Sequence, residues 1–353
     1  MKIALMTIWH CGNYGAEMQT YATVKALRML GHDVEVIDYR LFEHSRKLKS
    51  QIGKAIRALT PAQIKFEIFY SKYIIHQTKH YRNIEQLKND PPQADVYMTG
   101  SDQVWNEDIV GNRIAAYLLD FGSESTKRIA YAPSIGVSTW NFSSQFTKYI
   151  SQHLPMFSSI SCREKTGTEL LHKYIGVDVQ NVLDPTLLHD NYKEITGRIT
   201  EKKTLAYYPL SAGDTYSLEF CKNLAAEKEL KFVNANPYTF IPFVHIAWQR
   251  HSVTQWLQTI ASTQLVVTGS FHGLAFSLIY RKQFIIINNN KTGRNSRITD
   301  LLTYLGLSNR LFTSVEDAEA SKIWEIPIDY NTIEEKLSRA RKESWDYLKK
   351  NLS

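Results

Sequence analysis

Three cysteines in 353 residues, Cys11, Cys162 and Cys221, are too few and too widely spaced for a disulfide framework. They exclude a small stapled scaffold and predict reduced thiols in a cytosolic protein. None has a partner at metal-ligand spacing. Long apolar runs are missing too, so no membrane-spanning helix is expected. The apolar start, Met1 to Ile8, is too short for a signal peptide and lacks a cleavage site. GxGxxG is absent after the first strand, which removes the common dinucleotide signature. No short-period repeat is present, which excludes a solenoid. Negative charge is the minority: 35 Asp and Glu against 42 Lys and Arg leave a net charge of +7. That surplus suits a polyanionic partner, a membrane surface or small anionic substrates without choosing among them.

What is present is an α/β alternation. With 43% hydrophobic and 22% charged residues the chain is globular, and its length calls for more than one core. Lys2–Ile8 reads as a buried strand, Trp9–Gly15 as a turn, Ala16–Leu30 as a helix and Val34–Asp38 as the next strand. Strands follow at about 95–99, 128–132 and 160–163. After Pro185 the alternation restarts: strands at 205–209, 231–234, 265–267 and 284–287, with helices at 216–228, 252–260 and 298–305. The expected architecture is two Rossmann-like domains facing across a cleft: 1–187, then 188–329, then a charged amphipathic helix over 330–353 that packs back on the first.

In such sheets ligands meet the chain where strands end and helices begin. The sharpest such place is Thr263-Gln-Leu-Val-Val-Thr-Gly-Ser-Phe-His-Gly273, a β-branched run, a turn, then His272 before an apolar helix. Read alone, His272 is as well explained as a helix cap as by chemistry. The other strand mouths carry polar groups in concert. The first half offers Asn13, Tyr14, Gln19, Ser101, Asp102, Gln103 and Arg163; the second offers Ser270, His272, Arg294 and Arg297. Each arginine alone is a structural ion pair. Together with a histidine on one cleft they describe a site for a small, multiply charged anion, because guanidinium pairs its donors on carboxylate or phosphate.

Residues 43–82 are different in character. Lysine and arginine greatly outnumber Glu43 and Glu67, with aromatic residues between. The expectation is a basic helical insertion, either a solvated face or a contact with an anionic membrane surface. No nucleic-acid module is recognisable there.

Asn13-Tyr-Gly-Ala16 with Gln19, Gly100-Ser-Asp-Gln-Val-Trp-Asn106, Ser161-Cys-Arg-Glu164, Leu183-Asp-Pro-Thr186, Ser270-Phe-His-Gly273 and Asn295-Ser-Arg-Ile298 resemble, in this order, the polysaccharide pyruvyl transferase family. The resemblance implies a GT-B-like fold. It also implies transfer of a pyruvyl group from phosphoenolpyruvate to a saccharide acceptor, lipid- or nucleotide-linked, giving a pyruvate ketal in cell-surface or exopolysaccharide biosynthesis. In that frame Arg163 matches the donor-binding arginine, His272 the essential histidine, and Arg297 a basic residue near the donor. Ser270 stands where some members have arginine, so Arg294 is expected to supply that contact. Gly269 stands where many relatives are acidic. Asn13, Tyr14, Gln19, Ser101 and Gln103 fall on the acceptor side. His272 is the expected general acid and base, and Asp102 a candidate for orienting or deprotonating an acceptor hydroxyl. No metal or other cofactor is expected, because arginine supplies the positive charge. The enzyme is expected in the bacterial cytoplasm, peripheral to the inner face of the membrane where 43–82 meets it. The competing readings are a GT-B glycosyltransferase using a nucleotide sugar and a non-catalytic carbohydrate or polyanion binder.

Overall fold

The computed structural model describes the chain except residues 41–60, 75, 210–214, 236–237, 242–245, 250 and 290–294, and backbone alone for 61–63, 238–241 and 246–249. Its first element, β1 (Lys2–Met6), is apolar on both faces and runs into helix α1 (Tyr14–Met29). The helix begins two residues before the sequence suggests. Asn13 explains this: its side chain accepts the N–H groups of Gly15 and Ala16 and satisfies donors that would otherwise be orphaned. The parallel strand β2 (Asp33–Tyr39) completes the βαβ unit.

Around β1 a seven-stranded parallel sheet forms in the order β3-β2-β1-β4-β5-β6-β7. Its other strands are β3 (Gln77–Tyr81), β4 (Val96–Thr99), β5 (Lys127–Ala130), β6 (Ser159–Cys162) and β7 (Gln180–Asn181). The second half contributes β8 (Thr204–Tyr208), β9 (Lys231–Asn234), an antiparallel pair β10 (Tyr238–Ile241) and β11 (Ile246–Gln249), then β12 (Leu265–Thr268), β13 (Gln283–Ile287) and β14 (Leu311–Phe312). These build a five-stranded parallel sheet ordered β14-β13-β12-β8-β9. Strand order reverses between β1 and β4 in the first sheet and between β8 and β12 in the second. Such reversals open crevices at the carboxyl ends of the strands.

Among the helices are α2 (Pro61–Phe69), α3 (Lys165–Ile175), α4 (Val253–Ser262), α5 (Phe271–Ile279) and α6 (Ser296–Leu305). A single apolar cluster runs from Ile3, Tyr14 and Met18 through Trp256 and Phe276 to Leu337, so the two sheets share a core. The last helix, α7 (Tyr330–Asn351), reaches both. Lys336 Nζ donates to the Leu305 carbonyl at 3.0 Å, while the Tyr347 hydroxyl donates to the Ala130 carbonyl at 2.8 Å.

Of the basic segment 43–82, residues 43–60 and 75 lie outside the described residues. The remainder is not wholly helical as expected. After α2 and one π-helical turn at Tyr70–Ile74, the chain extends into β3, pairing with β2 on the sheet edge. Phe66, Phe69, Tyr70 and Ile74 are buried in the shared core, so the interleaved aromatics serve packing.

Candidate active site

Arg163 leaves the end of β6 and is almost wholly buried. Its Nη1 donates to Asp184 Oδ2 at 2.7 Å and to Ser101 Oγ at 3.4 Å. Nη2 lies 3.6 Å from Asp102 Oδ1, and Nε lies 3.9 Å from Glu164 Oε2. Burial opposes the charge on Arg163, but Asp184, Asp102 and Glu164 together hold its pKa above the ordinary value. Nε and Nη2 have no hydrogen-bond partner. Buried guanidinium donors without acceptors are costly, so this fork is set to receive an acceptor.

Asp184 is the node of the arrangement. It lies in the Leu-Asp-Pro-Thr turn and starts a 3₁₀ turn at Pro185–Leu188. Oδ1 accepts the Thr186 N–H at 3.0 Å and its hydroxyl at 2.6 Å; Oδ2 accepts the Ser101 hydroxyl at 2.9 Å besides Arg163. His272 Nε2 is 3.7 Å from the same Oδ2. Burial pushes the Asp184 carboxyl up, but His272, Arg163 and the Thr186 hydroxyl outweigh it and hold the group far below the carboxylate range.

His272 is in the first turn of α5 and buried, and Nε2 makes no hydrogen bond. Its ring lies against the start of α1. A Cβ added to Gly15 would stand 2.1 Å from His272 Nδ1, so only glycine fits there. Arg297, in the first turn of α6, also keeps a buried Nε without a partner. Burial and then the neighbouring Arg163 lower its pKa to about 10, against Asp102, Glu164 and Asp184. The Phe271 ring lies under both guanidiniums: Arg163 Cζ is 4.8 Å from its centroid and Arg297 Cζ 5.9 Å. A cavity of about 420 Å³ opens beside Arg163, Asp184, Phe271 and Arg297 and runs to α7.

The other expected residues divide. Ser101 and Asp102 join the Arg163 network. Asp102 has φ 78°, a left-handed backbone that is uncommon outside glycine and tends to occur at functional sites. Gln103 accepts from Asn106 Nδ2 at 3.1 Å. Ser270 precedes α5 without capping it through its side chain. Asn13 is committed to capping α1. Tyr14 is 0% exposed and donates to the His251 carbonyl at 2.5 Å, tying the two sheets together. Gln19 is buried, its Nε2 shared among Thr7, Ile8 and Thr20. Tyr14 and Gln19 therefore sit in the interior rather than on an open acceptor surface. Arg294 lies outside the described residues.

Sequence reasoning left Asp184, Glu164, Phe271 and Gly15 out of the site, although each stands inside a quoted motif. Glu164 follows Arg163, and its Oε1 accepts the Ser134 hydroxyl at 2.8 Å and the N–H groups of Ile135 at 2.9 Å and Gly136 at 3.1 Å. Glu17 does the same after β1. It accepts the N–H groups of His10 at 3.3 Å and Cys11 at 3.2 Å, and burial raises it to about 7 against these bonds and one from Tyr70.

Paired parallel sheets, with polar side chains meeting at their strand ends, define a GT-B-like α/β fold. The fold is shared with UDP-sugar enzymes at very low sequence identity. The S. aureus MnaA–UDP complex superposes with a TM-score of 0.55 at 11% identity, covering 94% of this chain and 90% of that one. UDP-GlcNAc 2-epimerase from Neisseria meningitidis bound to UDP-GlcNAc gives 0.55 at 9% identity over 100% and 99%. The Methanocaldococcus jannaschii UDP-GlcNAc 2-epimerase in complex with UDP-GlcNAc and UDP gives 0.53 at 12% identity over 93% and 94%. No curated protein sequence matches the chain. The polysaccharide pyruvyl transferase family model matches residues 13–291, and the chain belongs to that family.

Proposed function

We propose that the protein transfers a pyruvyl group from phosphoenolpyruvate to a saccharide and closes it into a ketal. One observation carries this most: two arginines from different halves of the chain, buried Arg163 and partly exposed Arg297, each hold a buried donor without a partner over the ring of Phe271, next to His272 in sequence. A donor whose carboxylate and phosphate are both borne by one carbon suits two guanidiniums held this close.

In this reading Arg163 and Arg297 hold the donor's anionic groups and stabilise phosphate as it departs. His272 protonates the donor methylene, leaving an oxocarbenium-like carbon. One sugar hydroxyl adds to that carbon, the bond from carbon to the phosphate oxygen breaks, and a second hydroxyl of the same sugar adds in its place. One hydroxyl proton restores the proton given to the methylene and the other leaves with phosphate. His272 serves as acid first and base afterwards, with Asp184 Oδ2 3.7 Å from its Nε2. Asp102 orients the acceptor hydroxyl. Guanidinium charge takes the part a metal would play.

The test is a donor screen with saccharide acceptors: phosphate release from phosphoenolpyruvate against nucleotide release from nucleotide sugars. Phosphate release with ketal formation is expected, and His272→Ala should abolish it while the far-UV circular dichroism stays unchanged. Turnover of nucleotide sugars without phosphoenolpyruvate would replace this reading with a glycosyltransferase.

The acceptor's location is read from the basic segment. Ile64 and Ile68, one turn apart on α2, are exposed at 48% and 58% beside exposed Lys72, a face suited to an anionic membrane surface. No helix among the described residues is long and apolar enough to cross a membrane. Binding to phosphatidylserine vesicles should fall as salt rises; equal binding to neutral vesicles would refute the contact.

A further inference from the structure

Helix α3 starts without a cap of its own. The residue before it, Glu164, makes no side-chain bond to the helix, since its carboxylate is taken by the 134–136 turn. The orphaned donor is satisfied from the other sheet. Asp300, on α6, accepts the Thr166 N–H at 2.8 Å through Oδ2 and the Thr166 hydroxyl at 2.9 Å through Oδ1. A carboxylate at a helix N-terminus is favoured by both hydrogen bonding and the helix dipole.

The spacing gives this contact its meaning. Thr166 lies three residues after Arg163. Asp300 lies three residues after Arg297 and so shares a face of α6 with it. Two like-charged side chains would part if nothing held their elements together, and Arg163 already depresses the pKa of Arg297. Thr166 and Asp300 also form part of the wall of the cavity that Arg163 and Arg297 line.

We propose that Asp300 and Thr166 form a latch between the two sheets that positions Arg297 beside Arg163, so that the two arginines grip one anion only when the latch is made. Asp300 and Thr166 are positioning residues, and identifying that anion as phosphoenolpyruvate rests on the function proposed above. Loosening the latch leaves His272 and Asp184 in place. Arg163 also stays held by Asp184 to meet the departing phosphate, so the loss falls more on donor binding than on the chemical step.

Donor kinetics of Asp300→Ala, Asp300→Asn, Thr166→Val, Thr166→Ser and the Asp300→Ala/Thr166→Val double variant test this, with melting temperatures confirming that each folds. Both positions are partly exposed, so folding should survive. KM for phosphoenolpyruvate should rise about ten-fold or more in Asp300→Ala and Thr166→Val, with kcat falling less than about three-fold. Thr166→Ser, which keeps both donors, should bring KM back toward wild type relative to Thr166→Val. The double variant should be no worse than the poorer single, as coupled partners require. An unchanged KM in both Asp300→Ala and Thr166→Val, or additive effects in the double variant, would overturn the latch. If wild type neither binds nor turns over phosphoenolpyruvate, the pyruvyl-transfer reading falls and the latch is judged on inorganic phosphate by calorimetry. There a loss of affinity of about ten-fold in Asp300→Ala sustains it and equal affinity sinks it.

Discussion

His272 owes its position to what Gly15 lacks. The ring occupies the volume a side chain would take, and Nδ1 stands 2.1 Å from where a Cβ would sit. Gly15→Ala must push the imidazole away or move the start of α1, and neither is easy in a packed interior. Turnover should fall about a hundred-fold, the usual consequence of misplacing a reacting group by an ångström. A crystal structure of the variant, or an undiminished kcat, decides the matter. At this level the sequence was partly legible. Arg163, His272 and Arg297 stood out because charged groups at strand ends are conspicuous. Asp184 did not, because Leu-Asp-Pro-Thr reads locally as a turn, and the carboxyl does cap one. Its second duty, receiving Arg163 and the Ser101 hydroxyl, depends on residues 21 and 83 positions away, which no local pattern reveals.

The β1–α1 loop behaves as a unit built on Glu17. Its carboxyl has a folded pKa of about 7, well above an unfolded value of about 4.3. The folded state therefore holds the proton more tightly between those values. Stability present below about pH 4.3 is lost as pH rises toward 7 and levels off above it, by on the order of 3 kcal/mol. Glu17→Gln removes that dependence. Urea unfolding at pH 5 and pH 8 should show wild type losing stability relative to Glu17→Gln; parallel losses would count against a buried, titrating Glu17. Elements as such were well read from periodicity: α1, β12, α5 and the terminal helix lie within a few residues of expectation. Within the basic segment β3 was misread as helix, because alternating lysines and aromatics fit a solvated helix as well as a helix and edge strand packed on the core. Charge alone does not say which side faces inward.

For the molecule as a whole, α7 is the strap. Its Lys336 bonds to the second sheet's layer and its Tyr347 to the first, and between them Leu337 is 1% exposed in the shared core. Leu337→Ala should destabilise the protein by about 2–5 kcal/mol. Tryptophan fluorescence and far-UV circular dichroism should still report one coincident transition in wild type. Two separated transitions would show that the strap does not couple the sheets. The pairing of the sheets was expected from the restarted alternation after Pro185. Their shared core was not, since contacts such as Tyr14 to His251 join residues 237 apart.

The carboxylates of Glu17 and Glu164 have one more consequence. Each is a tethered ligand occupying a cup of successive backbone N–H groups in the loop that follows a strand, the kind of seat that elsewhere takes an anion. A tethered competitor acts at the effective concentration of its own chain, on the order of millimolar or above. A free diphosphate would have to outbid both. The anion proposed for Arg163 and Arg297 would thereby be kept out of the loops of the first sheet and taken by guanidinium side chains between the sheets, where binding and domain contact would become the same event.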